Sequence, residues 1–260
     1  PLAVQHRLLQ REKARWPDWQ PAWAPEPPDP ARLEQEAGEW AAADLILCPS
    51  AFVRDAVGEA GGPVEKCVLV PYGMDMSRFP PPTQRAPPTG RPMRVLFAGE
   101  VGLRKGVPDL LTALRLSGPE HVEARLVGNV RLAPERLEAY ADVATFAGAV
   151  PRPAMAAHYA WADLFVLPSI CEGSAAVLSE ALANGLPVVC TPNSGPPPSD
   201  SGVHVVPAGD PDALAEAIST IRDDYPASLP RDVAAQAFTM DAYGRRLVTA
   251  LRALGRRRAA

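Results

Sequence analysis

The sequence is poor in cysteine, and its 4 cysteines, Cys48, Cys67, Cys171 and Cys190, are widely spaced. They form no Cys-x-x-Cys pair and no cluster with histidine, which argues against a zinc site or a disulfide framework and leaves them as reduced core residues. Histidine is equally scarce: His6, His121, His158 and His204 are scattered, and His158 lies in a helical pattern where a structural role is expected. Positive charge is not in excess, since the net charge is −4, so no global field points toward nucleic acid. No run reaches the roughly 18 apolar residues that cross a bilayer. The opening PLAVQHRLLQ lacks the apolar segment of a signal peptide. A cytoplasmic protein is expected, with weak contact at the inner membrane face left open by the terminal Arg256-Arg257-Arg258.

Proline is abundant, 31 residues among 260, and much of it falls in two runs. Repeated prolines forbid helix or central strand, so PDWQPAWAPEPPDP, after a helical pattern from Val4 to Arg15, reads as irregular. Its tryptophans, Trp16, Trp19 and Trp23, are expected either to pack on a missing or partner domain or to form a loose cover. The second run, up to Pro92, reads as a linker. The resulting division is a partial α/β unit at 1–80, a linker at 81–92, a Rossmann-like domain at 93–240, and a C-terminal helix with a basic tail at 241–260.

Beyond the linker, apolar strands (MRVLFAG, EARLVGN, VATFAG, LFVLPS, PVVCTP, VHVVP) alternate with helices of about 10 residues. Such alternation implies a parallel sheet covered on both faces by helices, an α/β fold of Rossmann-like type. Ligands of these sheets bind at the carboxyl ends of the strands, which selects the loops after Phe97, Val127, Ala147, Leu167 and Cys190.

Two of those loops carry candidate chemistry. In GEVGLRKG, Gly99 and Gly102 allow close approach, Arg104 and Lys105 supply cations, and the following helix supplies free N–H groups, a combination suited to a diphosphate. A surface turn with two solvated cations is the plainer reading. The spacing is not G-x-G-x-x-G, which argues against a nicotinamide cofactor. In CEGSAAVLSEA, Glu172 precedes a helix expected to start near Ser174, and Glu180 lies inside it on an apolar segment where a carboxylate needs partners. Sugar hydroxyls would serve, and Gly173 and Ser174 leave amides open to a phosphate. Alternatively Glu172 is an acid favoured by the helix dipole and Glu180 faces solvent.

Taken in order, PYGMD at Pro71 to Asp75, GEVGLRKG, the Glu172-x7-Glu180 pattern in PSICEGSAAVLSEALANGLPVVCTPNSG, and VPAGDPDALAEAI resemble the family 4 retaining glycosyltransferases of GT-B fold, the glycosyl transferases group 1. The resemblance implies the C-terminal, donor-binding domain of a two-domain enzyme, with residues 1–80 the remnant of the acceptor-side domain. It assigns Lys105 and Arg104 to the donor diphosphate, Glu172 to hydroxyls of the transferred sugar, Glu180 to the ribose, and the loop around Ala149 and Val150 to the base. The backbone from Gly173 through Ala175 and Ala176 completes the expected donor site. The implied donor is a nucleotide-diphosphate sugar, with no other cofactor and no metal motif, and the acceptor is open.

Two positions depart from the family pattern. Glu100 stands where many relatives carry Arg, and the loop NSGPPPSDSG has three prolines where relatives have a glycine-rich acidic stretch. Besides transfer with retention, two other functions are consistent with the sequence: a non-catalytic binding or assembly module needing a partner domain or chain, and a sugar-nucleotide epimerase.

Overall fold

The structure, a computed structural model, describes residues 1–75, 85–196, 202–230 and 238–259. Residues 81–84 of the expected linker and 197–201 of the three-proline loop lie outside the described residues.

A six-stranded, all-parallel sheet forms the larger unit. Its strands are β3 (Met93–Ala98), β4 (Val122–Val127), β5 (Ala144–Gly148), β6 (Leu164–Leu167), β7 (Val188–Cys190) and β8 (Val203–Val205), in the spatial order β5-β4-β3-β6-β7-β8. The connecting helices are α4 (Val107–Ser117), α5 (Pro134–Glu138), α6 (Met155–Trp161), α7 (Ala176–Ala183) and α8 (Pro211–Asp223). β6 and β7 are buried at every position, as expected of strands covered on both faces, whose side chains have no solvent side to alternate toward. Val95, Leu96, Phe97, Leu164, Phe165 and Val189 form the centre of one core with Leu110, Leu111, Leu178 and Ile218 from the helices.

A smaller unit precedes it: α1 (Leu2–Arg15), α2 (Pro30–Ala42), β1 (Ile46–Cys48), α3 (Ala51–Glu59) and β2 (Cys67–Leu69), with β1 and β2 parallel. The short helix α9 (Tyr225–Ser228) follows α8, and α10 (Met240–Ala259) ends the described chain. Local signals position these elements. Asp29 and Ser50 cap α2 and α3 through their side-chain oxygens, and Asp210 caps α8. α10 returns to the smaller unit, where Arg246 donates to Pro71 O at 2.9 Å and Tyr243 meets Tyr72 edge-on.

Three expectations need correction. α7 begins at Ala176 and not at Ser174, because Ala175 is extended and its N–H is bound by Ser194 O at 3.1 Å. The tryptophans do not form a loose cover: Trp19 is buried in the core of the larger unit, Trp16 packs edge-on against it, and Trp23 packs against that core. Among the cysteines, Cys48 and Cys190 are buried, but Cys67 and Cys171 are only half-buried.

Candidate active site at the sheet crossover

In this strand order the chain runs from β3 to β4 and β5 on one side, then crosses to β6, β7 and β8 on the other. The loops leaving the carboxyl ends of β3 and β6 therefore diverge and leave a crevice between them. They are nonetheless fastened at their bases. Arg104 O accepts from Ile170 N at 3.0 Å and from Cys171 N at 3.3 Å. Gly106 makes this approach possible: its φ is 67°, and a Cβ there would lie 2.0 Å from Pro168 O. No L-residue with a side chain fits that space.

The fastening brings together Arg104, Lys105 and Glu172, all identified from sequence. Glu172 Oε2 accepts from Arg104 Nη1 at 2.7 Å and from Lys105 Nζ. Arg104 also donates to Cys171 O at 3.2 Å. Lys105 is nearly buried while Arg104 stays about one-third exposed. Burial pulls the Lys105 ammonium below its ordinary value, and Glu172 opposes that pull. Burial alone would push the Glu172 carboxyl up, but the hydrogen bond and charge of Lys105, then those of Arg104, outweigh it and hold it below its ordinary value.

The loop behind Glu172 is braced from the β7 side. Glu172 N donates to Asn193 O at 3.0 Å, Asn193 Nδ2 donates to Ile170 O at 2.7 Å, and Ser194 Oγ donates to Leu167 O at 2.7 Å. Gly195, at φ 64°, would place a Cβ 2.4 Å from Gly173 O. Ser50, from the smaller unit, donates to that same Gly173 O at 2.6 Å. Gly173 and Ser174 are half-buried, and α7 behind them has no side-chain cap, so the first amides of that helix present an anion-binding end.

Glu180 faces inward from α7 and does not point to solvent. Its Oε2 accepts from the Tyr159 hydroxyl at 2.8 Å, and its Oε1 pairs with exposed Arg152 at 3.2 Å. Burial, then Glu180, raises the Tyr159 phenol above its ordinary value. Arg152 follows Val150, so the half-buried Val150 and the Glu180–Arg152 pair lie on the β5 side of the crevice. Sequence reasoning missed Tyr159, Arg152, Asn193 and Ser50 as site supports. Locally, Asn193-Ser194-Gly195 offered a turn signal directly after a strand, and Ser50 a capping residue before a helix.

On the β4 side, Gly128 passes so near Gly99 that a Cβ would lie 1.8 Å from Gly99 O. Glu100 pairs with Arg131 Nε at 3.4 Å, which gives the anomalous carboxylate a cation of its own. Gln20 Oε1 accepts from Leu103 N at 3.1 Å, beside Gly102. A cavity of about 470 Å³ lined by Gln5, Gln20, Trp23, Glu100, Arg104 and Arg131 thus opens next to the charged cluster. Among the described residues there is no group of three or more His, Cys, Asp or Glu able to hold a metal ion.

A cation pair and a carboxylate at the crossover of a doubly wound sheet, backed by an uncapped helix, is a geometry for a phosphorylated, hydroxyl-bearing ligand. The sequence profile of the family described as "Glycosyl transferases group 1" matches residues 92–224, the stretch that builds this crevice. The chain belongs to that family.

Curated relatives extend the likeness beyond the profile. A putative colanic acid biosynthesis glycosyltransferase of Escherichia coli is 31% identical over 193 residues, 68% of this chain and 47% of the relative. A GDP-mannose-dependent alpha-(1-6)-phosphatidylinositol monomannoside mannosyltransferase of Mycobacterium tuberculosis is 31% identical over 231 residues, 80% of this chain and 57% of the relative. The chain therefore spans about half the length of the curated relatives it matches.

Solved structures share the fold. Sucrose-phosphate synthase from Thermosynechococcus elongatus superposes with a TM-score of 0.72 at 24% identity, covering 98% of this chain and 66% of that one. The Anabaena protein HepE, crystallised with UDP and glucose, superposes at 0.68 and 20% identity, covering 88% and 69%. The α/β architecture with its helix-covered parallel sheet is that of these glycosyltransferase structures.

Proposed function

We propose that this chain is the donor-binding part of a glycosyltransferase that moves a sugar from a nucleoside diphosphate to an acceptor hydroxyl with retention at the anomeric carbon. The observation that carries the reading is the bridge of Glu172 to Arg104 and Lys105 in the crossover crevice. A donor diphosphate entering there takes over the two cations and meets the first amides of α7. Glu172, released from sole ownership of the cations, turns its oxygens to hydroxyls of the transferred sugar. Val150 borders the base, and Glu180 with Arg152 borders the ribose.

In the reaction the glycosidic carbon–oxygen bond to the diphosphate breaks, negative charge grows on the leaving oxygen, and Arg104, Lys105 and the helix end stabilise it. The acceptor oxygen bonds to the anomeric carbon on the face the diphosphate leaves, and the departing phosphate takes the acceptor's hydroxyl proton, so the site needs no separate base. A relative of M. tuberculosis uses GDP-mannose and the HepE crystals hold UDP, so both nucleotides are candidates for this chain.

Titration calorimetry with UDP, GDP and ADP tests the reading. Saturable binding of one nucleotide, lost in Lys105→Ala, is expected. Absence of binding by all three, or unchanged binding by the variant, would overturn it. Donor binding without transfer, on supplying candidate acceptors, would favour a non-catalytic module, a reading to which the Glu100 carboxylate beside the cavity lends some weight.

A further inference from the structure

Helix α10 has one face packed and one face open. Ala242 and Ala250 are buried, and Tyr243 and Arg246 on the same side meet Tyr72 and Pro71 of the smaller unit. The opposite side carries Met240, Val248 and Leu251, exposed by 54%, 45% and 51%. Their positions, with Gly244 between them and Gly255 one turn beyond, fall on one strip at helical spacing, and a Cβ built on either glycine meets nothing within 4 Å. Along the flank of that strip lie the exposed Arg245, Arg252 and Arg256.

The charge is as uneven as the polarity. From Met240 to Arg258 the sequence holds six arginines against one acid, Asp241, in a chain whose net charge is −4. An exposed apolar strip edged by arginines on a helix is suited to lie in the plane of a bilayer interface, with aliphatic side chains at the headgroup boundary and guanidinium groups on lipid phosphates. A second copy of the chain fits less well, because a two-fold contact through this face would set arginines against arginines.

We infer that the outward face of α10, centred on Val248 and Leu251 and flanked by Arg245, Arg252 and Arg256, docks the protein on an anionic phospholipid bilayer. This goes beyond the donor reading and does not depend on it. Among the described residues no helix is long and apolar enough to cross a membrane, and an attachment through one face of α10 lies on the bilayer surface. It is therefore reversible and salt-sensitive.

The test is flotation of the full chain with phosphatidylcholine vesicles containing phosphatidylglycerol, against phosphatidylcholine alone. Binding to the anionic vesicles only, weakening with added salt, is expected. Arg245→Gln with Arg252→Gln should weaken it about 25-fold, taking about fivefold per arginine, and Val248→Ser with Leu251→Ser should abolish it. Circular dichroism and nucleotide titration of the same variants should match the parent, which separates loss of docking from loss of fold or of the donor site. Equal binding to both vesicles, no binding by the parent, or parent-like binding by both variants would overturn the inference. So would light scattering that shows the parent as a dimer and the apolar variant as a monomer, because the face would then belong to a second copy.

Discussion

Replacing Glu172 by Gln separates the two jobs assigned to it. One oxygen, Oε2, accepts from both Arg104 and Lys105, so the substitution leaves two neighbouring cations without their shared counter-charge in a half-buried crevice. Losing hydrogen bonds to charged groups costs about 1.5–3 kcal/mol, and the melting temperature of a chain this size should fall by roughly 2–4 °C per kcal/mol. Binding of the free nucleoside diphosphate should move the other way. A phosphate oxygen that contacts Lys105 Nζ from the far side lies on the order of 6 Å from the carboxylate, where one like charge contributes about 2–3 kcal/mol of repulsion at an effective dielectric near 20. Its removal should tighten UDP or GDP by roughly 10- to 100-fold.

The complete nucleotide sugar should gain little or nothing in the same variant, because it also loses the carboxylate's bonds to its hydroxyls, about 1.5–3 kcal/mol. Transfer should drop. Calorimetry with the nucleotide and with the nucleotide sugar, on parent and variant, reads both effects. A variant that is folded yet binds the free nucleotide no tighter than the parent would refute the idea that Glu172 competes for the diphosphate cations.

Three other outcomes follow from the geometry. Gly106→Ala places a Cβ 2.0 Å from Pro168 O at φ 67°; the left-handed backbone alone costs about 1–2 kcal/mol, so with the overlap a loss of about 3–5 kcal/mol, read by urea unfolding, is expected together with loss of nucleotide binding. Glu12 is buried beside Asp109, and burial first, then Asp109, raises its pKa from 4.5 to about 7. Between those values the unfolded chain releases the proton that the folded chain keeps, so stability falls as pH rises through this window, by on the order of 3 kcal/mol. Glu12→Gln should flatten that slope in urea titrations at about pH 5 and about pH 8, and a parent without the slope would contradict the assignment. Ser50→Ala removes the cap on Val53 N and the hydrogen bond to Gly173 O; a loss near 1–2 kcal/mol with weaker nucleotide binding is expected, whereas unchanged binding would show that the Glu172 loop does not need this brace.

The order of elements and the candidate residues were legible in the linear sequence because they rest on local information. Apolar runs bounded by turn residues marked the parallel strands, and GEVGLRKG and CEGSAAVLSEA stood out as candidate loops from their places after β3 and β6. What local information could not supply is which groups face each other. The expectation for α7 was early by two residues because the bond from Ala175 N to Ser194 O is made by a distant loop. Glu180 finds Tyr159 and Arg152 at separations of 21 and 28 residues, and no periodicity encodes that choice.

By itself, then, the sequence determined a covered parallel sheet and the cations and carboxylates at its carboxyl edge, since these depend on residue type and spacing along one strand–loop–helix unit. Only the tertiary structure decided that Glu172 sits between Arg104 and Lys105, that Glu180 is spent on internal partners, that Trp19 belongs to the core of the larger unit, and that α10 turns a basic, apolar face outward. The reason is physical: burial, ion pairing and the unpaired face of a helix are properties of surfaces brought together by folding, and residues far apart in the chain share a surface only once the sheet order is set.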